Sequence, residues 1–569
     1  MHSEFKPYPF DGRKHAARIP ALTDGADRRR HPVAIIGGGP VGLVAALALA
    51  RQGVASVLIE ADDSVCQGSR AICISRRSLE IIGRLGAADG FLNTGLPWTG
   101  GRSFYRDAEV LHFTMPQDEN QKLPPMINLA QYHIEQFLLD QVEKHADLID
   151  MRWQTRVTAI SQDGQGVALH LSTPEGDYAL DADWLVACDG GRSTIREAMG
   201  LQLQGTSYEG RYVIVDILLE SDRPTERLAY FDPACNRGST VLVHKQPDNV
   251  WRIDYQVRDG EDVEQAVLPE NVLPRVQALL DMMGERGPWA PVWITMYKAN
   301  ALTLERYRHG HVLFAGDAAH LVPIFGVRGA NSGIDDADNL GWKLSYVVKG
   351  LADEGLLDSY SSERVAAAHE NLNYGTKSTE FMAPPSFAFA LMRTAVLSLA
   401  ARHYAIRPLI NPRQTSAITY TDSPLNAAQE ADADWAAGPG PGAVLRECPL
   451  TMLSEGGVTE GYLTDLLSHG FTALYFGDGT PLSGEAMRFL AQTRERSLPV
   501  ILVPLTHTHV TPDNELIAWD HTGRLFDLYD ANLGTIYVVR PDGHVLGRWR
   551  MPSAETLLGA IGHALHPTT

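Results

Sequence analysis

Cysteine is scarce in this chain: five in 569 residues (Cys66, Cys73, Cys188, Cys235 and Cys448), with no CxxC pair. That excludes a disulfide framework or a thiolate zinc site and leads us to expect a reducing, cytoplasmic setting. Basic residues are also in deficit, 49 Lys and Arg against 69 Asp and Glu, for a net charge of −20. Nucleic-acid binding needs cations to neutralise phosphates, so no nucleic-acid partner is expected. No apolar run reaches membrane-spanning length. The first 30 residues lack the apolar stretch of a secretory signal, so they read as an N-terminal extension. There is no internal repeat and no long low-complexity tract.

What is present is a globular composition, 44% hydrophobic and 21% charged, in a chain long enough for two or three domains. The stretch "HPVAIIGGGPVGLVAALALARQG" reads as a buried strand, a tight turn and an Ala/Leu-rich helix. Its Gly37, Gly39 and Gly42 suit, in turn, a sharp turn, close approach of a pyrophosphate, and packing of helix on strand. The helix N-terminus offers free N–H groups to phosphates. A second strand, "SVLIEADD", ends at Glu60, where an acid reaches a ribose hydroxyl. Together these mark an α/β dinucleotide-binding unit.

Helical patterns follow from about Arg76 and in "NLAQYHIEQFLLDQVEKHA", where Ile134, Phe137, Leu138 and Val142 share a face. From about 205 to 300, "RYVIVDILLE", "STVLVHKQ" and "VWRIDYQV" alternate polar and apolar residues, the signature of an antiparallel sheet with a covered face. A helix over Asp336–Lys349 follows a glycine-rich loop near 326–333. The segment "AAGPGPGAVLRECP" has linker composition, and beyond it come further strand and helix candidates.

Two more glycine–acid clusters raise the first to a specific signal. "ACDGGRSTIR" places Asp189 and Arg196 after an apolar strand, and "FAGDAAHLVPIFGVRGANSGIDDADNLGWKL" places Gly316 and Asp317 at a strand end with Asn331 to Gly333 opening a helix. In this order and spacing the three motifs resemble those of the single-component FAD-dependent aromatic hydroxylases, which include the phenol, p-hydroxybenzoate and 3-(3-hydroxyphenyl)propionate hydroxylases. The resemblance runs over nearly the whole chain from residue 30. It implies that Gly37, Gly39, Gly42 and Glu60 hold the ADP half of FAD and that Asp189 and Arg196 lie near the pyrophosphate and the donor path. It further implies that Asp317 holds the ribityl chain, that Arg70 and Gln131 touch phosphates and ribityl, and that Arg252 packs near the flavin. Asn331 and Gly333 lie at a helix entry suited to the anionic edge of reduced flavin.

The implied architecture is a Rossmann-like FAD-binding domain (31–204 and 301–375) carrying an inserted antiparallel-sheet substrate domain (205–300). A helical segment and linker (376–435) lead to a C-terminal thioredoxin-like domain (436–569). That last region has no cysteine after Cys448, so dithiol exchange is excluded and a packing or oligomer role, with a homodimer allowed, is expected. Its place after a Gly/Pro linker implies that the chemistry runs without it.

The implied activity is hydroxylation of a small phenolic substrate with NADH or NADPH as transient donor and O2, through a flavin C4a-hydroperoxide. Alternatives are an epoxidase or Baeyer–Villiger oxygenase acting on a polycyclic aromatic, or a non-catalytic flavin-binding protein. Flavin supplies the oxygen chemistry, so no metal is required. His507 and His509 share a strand face without a third ligand and read as solvated residues. His244 and Tyr230 fall on strands of the substrate sheet and are candidates to relay the phenolic proton near neutral pH, or else half-buried sheet residues. His320, inside "GDAAH", reads as structural. The loop departs from many relatives at Ile324 and Val327 and is followed by Arg328, which either steadies an anion or lies on the surface. No arginine stands at Gln246, where some benzoate-specific relatives carry one, which favours an uncharged phenol or a carboxylate bound elsewhere.

Overall fold

The computed structural model describes residues 4–68, 71–258, 260–410, 414–428, 435–454, 457–510 and 516–567. Its centre is a parallel run of five strands in the order Val312–Phe314, Gly176–Ala187, His31–Ile36, Ser56–Ile59 and Ile149–Arg152. These strands are covered on both faces, which is why they read as continuous β-branched runs instead of alternating ones. The helix Pro40–Arg51 follows the first motif, with proline at a helix start where its missing N–H costs nothing. All residues from Gly42 to Ala50 are buried, because the helix is sandwiched between the sheet and a second long helix, Gly329–Val348. The two helices touch so closely that a Cβ on Gly341 would lie 2.4 Å from that of Ala48. The long helix begins at Gly329, earlier than the composition suggests, because side-chain bonds described below secure its glycine-rich first turn.

The second sheet has eight strands: His320–Leu321, Trp289–Thr303, Gln204–Leu219, Val250–Gln256, Thr240–Lys245, Arg227–Phe231, Gly100–Tyr105 and Ala108–Thr114. The last two come from a stretch that the sequence assigns to the nucleotide-binding part. They join through a parallel pairing of Gly100–Tyr105 with Arg227–Phe231, across more than 120 residues, that no local pattern signals. One face of this sheet packs under the helix Pro269–Met283 through Val213, Val241, Val243, Ile253 and Tyr255. The other faces an interior lined by Cys73, Phe231, Leu242, Phe325 and Met382.

The C-terminal region forms a seven-stranded mixed sheet in which Phe471–Gly477 pairs in parallel with Val500–Thr506 and antiparallel with Ile536–Val539. The stretch of linker composition is part of the packed structure: Gly442 donates to Val545 O at 2.7 Å and accepts from Tyr420 N at 2.9 Å. The N-terminal extension also lies against the body, with Phe10 stacked on Tyr132 at 4.7 Å and His15 on Trp153 at 4.4 Å.

Candidate active site

Gly37 adopts φ +102°, and a Cβ there would sit 2.5 Å from Cys188 O; one on Gly42 would sit 1.9 Å from Gly37 O. Both positions exclude any side chain, the first by conformation and contact, the second by contact alone. Gly39 is different, since a Cβ would meet no described atom within 4 Å. The turn therefore leaves open space beside the N-terminus of the helix Pro40–Arg51. Glu60 accepts from Gly38 N at 2.5 Å and Asp62 N at 2.8 Å, and burial raises its carboxyl above the usual range.

The first and third motifs meet at Val41. A Cβ on Gly316 would come within 2.9 Å of its side chain and one on Gly333 within 2.6 Å, so only glycine allows the strand end and the helix entry to reach the first motif. A buried charge cluster holds this junction. Asp336 accepts from Gly316 N at 2.9 Å, His320 Nε2 at 2.6 Å and Arg364 Nε at 2.6 Å, and Arg364 also donates to Ser332 O at 3.1 Å. These partners hold the Asp336 carboxyl down to about 2 against the opposing effect of burial. His320 is thus engaged within the protein. Asp317, next to it, projects to the exposed side.

Asn331 is fully occupied: its Oδ1 accepts from Ser75 N at 2.9 Å and Ser78 Oγ at 2.7 Å, while Nδ2 donates to Cys73 O and Val327 O. Its side chain therefore fastens the helix entry, and what it presents to a cofactor is backbone. Arg196 spans two motifs, donating to Ala318 O at 2.9 Å and Gly191 O at 2.7 Å. Asp189 Oδ2 accepts from Thr194 Oγ1 and Ile195 N, both at 3.1 Å, whereas its buried Oδ1 has no partner among the described residues. Gln131 accepts from Ala71 N at 3.1 Å at the start of the helix Gln131–Lys144. Arg70 lies outside the described residues. The open space at Gly39, the orphaned oxygen of Asp189 and two adjoining helix N-termini fit the phosphates and polar chain of a dinucleotide.

Across the second sheet a charged row runs Arg227, His244, Arg252, Asp216, each on the strand next to the last; the pairing registers put His244 opposite Arg252 and Arg252 opposite Asp216. Arg252 donates to both oxygens of Asp216, at 2.8 and 2.7 Å, and Tyr8 from the N-terminal extension donates to the same carboxylate at 2.5 Å. Asp216, Asp254, Arg227 and Tyr8 escape the sequence reading. Asp254 stands two residues after Arg252 in "WRIDYQ", so strand alternation already places it on the same face.

Three expectations change here. His244 is buried between Arg227 and Arg252, and burial with these two cations pushes its imidazole down to about 3, so it is neutral and a poor proton acceptor near neutral pH. Tyr230 pairs with Val241 on the opposite face, stacked on Phe104 at 5.0 Å, away from His244. Arg328 is no surface residue. It is buried, donates to Asn371 Oδ1 at 2.8 Å and Gln414 O at 3.2 Å, and lies 4.9 Å over the Tyr374 ring.

The chain is 28% identical over 554 residues to the 3-(3-hydroxy-phenyl)propionate/3-hydroxycinnamic acid hydroxylase of Mycolicibacterium smegmatis, covering 93% of both chains. It is 28% identical over 529 residues to the protein of the same description from Escherichia coli K12, covering 90% and 91%. Among solved structures, the flavin-dependent monooxygenase PieE in complex with FAD and substrate superposes with a TM-score of 0.77 at 22% identity, covering 94% of this chain and all of the other. Aklavinone-11 hydroxylase with FAD and aklavinone gives 0.74 at 23%, covering 94% and 99%, a likeness of fold. The model of the FAD binding domain matches residues 30–374, which take in all three motifs and the eight-stranded sheet. The chain belongs to the FAD binding domain family, and FAD is its cofactor.

Proposed function

We propose that this flavoprotein monooxygenase hydroxylates a phenolic ring, drawing electrons from NADH or NADPH and oxygen from O2. The observation that carries the reading is the sheet face that joins a row of buried polar side chains to an apolar interior beside the cofactor motifs. Bound FAD supplies the electron transfer and the oxygen chemistry. The chain holds and encloses: Gly39 admits the pyrophosphate on a turn that Gly37 and Gly42 allow, Glu60 holds the ribose, Asp189 lies by the pyrophosphate, and Asp317 holds the ribityl chain. The N–H groups at the start of Gly329–Val348 stabilise negative charge on the flavin edge. Arg252, held rigid by Asp216, keeps a fixed positive charge at the boundary between sheet and cofactor. Phe231, Leu242, Phe325 and Met382 exclude water and give an aromatic ring an apolar surface. The Mycolicibacterium smegmatis and Escherichia coli relatives are named as hydroxylases of phenolic acids, which supports a phenolic substrate here.

In this reading, residues 31–204 and 301–375 form the cofactor unit and the inserted sheet the substrate unit. We read the C-terminal unit as thioredoxin-like, on the support of its parallel central pair, its antiparallel neighbours and the helices Gly484–Glu495 and Ala554–Leu565. The test is a panel of phenols with FAD-loaded enzyme under labelled dioxygen. Substrate-stimulated donor oxidation with one labelled oxygen in the product is expected. Donor oxidation that yields only hydrogen peroxide across the panel overturns the reading.

A further inference from the structure

Among the described residues, eight arginines and nine carboxylate side chains are buried. Seven of the arginines and eight of the acids have hydrogen bonds or ion pairs to other groups, as burial demands. The two exceptions among the described residues are Arg227 and Asp254, which feel each other's charge without a hydrogen bond or close ion pair, and both lie on the interior face of the same sheet. Between and beside them, His244 Nδ1 and both polar atoms of the Gln246 amide are buried without partners. Orphaned polar atoms on two side chains beside two buried charges that make no hydrogen bond are a costly arrangement for folding alone, and a ligand that completes them offsets that cost.

Their placement is specific. Arg227 lies opposite His244, and Asp254 opposite Leu242, so the two charged residues sit diagonally across three strands, roughly 10–12 Å apart at the backbone. They keep 3 and 8% of their surface accessible, so neither is completely sealed by protein atoms. The apolar surface of Ala229, Leu242 and Phe325 adjoins them. An apolar span with a cation at one end and a hydrogen-bond acceptor at the other is complementary to an aromatic ring carrying an acid chain and a hydroxyl. Arg328, the sequence's alternative anion holder, is already committed to Asn371, Gln414 and Tyr374.

We infer that Arg227 is the anion seat for the carboxylate of a hydroxyphenyl alkanoic acid and that Asp254 accepts the hydrogen bond of its phenolic hydroxyl. This rests on the hydroxylase reading above and narrows it from phenols to phenolic acids. His244 and Gln246 complete the carboxylate's hydrogen bonds as neutral groups. Burial lowers Arg227 to about 10, still cationic at neutral pH, and raises Asp254 to about 7.

The test measures binding to oxidised, FAD-loaded enzyme without donor, so it does not depend on turnover. The probes are a meta-hydroxyphenyl alkanoic acid, its methyl ester and its deoxy analogue, followed by calorimetry and by the flavin absorbance. Wild type is expected to bind the acid about 10–100-fold more tightly than the ester. Arg227→Gln removes that preference by weakening the acid alone, Arg227→Lys restores part of it, and Asp254→Asn reduces the preference for the hydroxy acid over the deoxy acid. Equal binding of acid and ester by wild type overturns the anion seat without any variant. Equal weakening of both ligands by Arg227→Gln also overturns it, because it marks a structural role. If the acid binds as expected and no labelled oxygen reaches product, the hydroxylase reading fails and the anion seat stands.

Discussion

Arg540 donates to both oxygens of Glu363, at 2.6 and 3.0 Å, and so joins the C-terminal sheet to the long helix Gly355–Met382 through a fully buried ion pair. Asp542 bonds the same guanidinium at 3.1 and 2.5 Å, Lys343 donates to Glu363 at 2.7 Å, and Trp342 donates to Asp542 at 3.0 Å. Lys343 and Trp342 lie on Gly329–Val348, the helix whose first turn meets the cofactor motifs. The separable unit suggested by composition is therefore anchored in the charged interior of the cofactor half. Arg540→Met leaves Glu363 and Asp542 facing each other with one cation lost, and is expected to cost about 3–5 kcal/mol. Urea unfolding of the FAD-loaded protein measures this. Deletion from residue 436 is expected to abolish FAD retention; a truncated chain that keeps flavin would show the junction to be dispensable.

Gly39 and Gly42 separate fold from cofactor binding. Gly42→Ala drives a Cβ into Gly37 O, so it is expected to lose both FAD and thermal stability. Gly39→Ala meets no protein atom and is expected to yield a folded protein whose FAD content falls. Comparison of circular dichroism with bound flavin distinguishes the two, and full flavin retention by Gly39→Ala would remove the pyrophosphate assignment.

The pH profile assigns the proton acceptor. Burial pushes Asp254, faced by Arg227, Arg252, Asp216 and the neutral His244, up to about 7, and only its ionised form accepts a proton. With saturating phenolic acid, the hydroxylation rate is expected to rise through neutrality with pH. Asp254→Asn should flatten that rise and lower the rate by about 10²–10⁴-fold. His244→Gln should leave the inflection in place, since its own titration lies near 3. An inflection lost with His244 and kept without Asp254 would reverse the assignment.

Tyr8 ties the N-terminal extension to the sheet by its bond to Asp216. Burial, reinforced by Asp216, holds its phenol far above the ordinary value, so it stays a donor throughout the accessible pH range. Tyr8→Phe removes one hydrogen bond to a charged acceptor and is expected to cost about 1.5–3 kcal/mol in urea unfolding. It should also perturb the visible flavin spectrum by loosening Arg252. An unchanged midpoint and spectrum would leave the extension without this role.

Residues close in sequence determined the cofactor half of this protein. Gly37, Gly39, Gly42 and Glu60 announce themselves because strand, turn and helix follow one another within about 30 residues, and local backbone geometry dictates the spacing. Strand alternation in "STVLVHKQ" likewise separates Leu242 and His244 from Val241 and Val243, which agrees with the two apolar clusters that hold Leu242 on one face and the valines on the other. Alternation leaves open which face meets the interior, and that choice put Tyr230 under the helix Pro269–Met283. The tertiary structure alone decided the charges. Arg328 is engaged by partners 43 and 86 residues away, Arg540 crosses 177 residues to Glu363, and His244 owes its low basicity to burial first and then to cations on two other strands. A side chain's charge state depends on burial and on neighbours supplied by distant segments, so the same arginine reads alike in sequence whether it is spent on the fold or left, like Arg227, for a ligand.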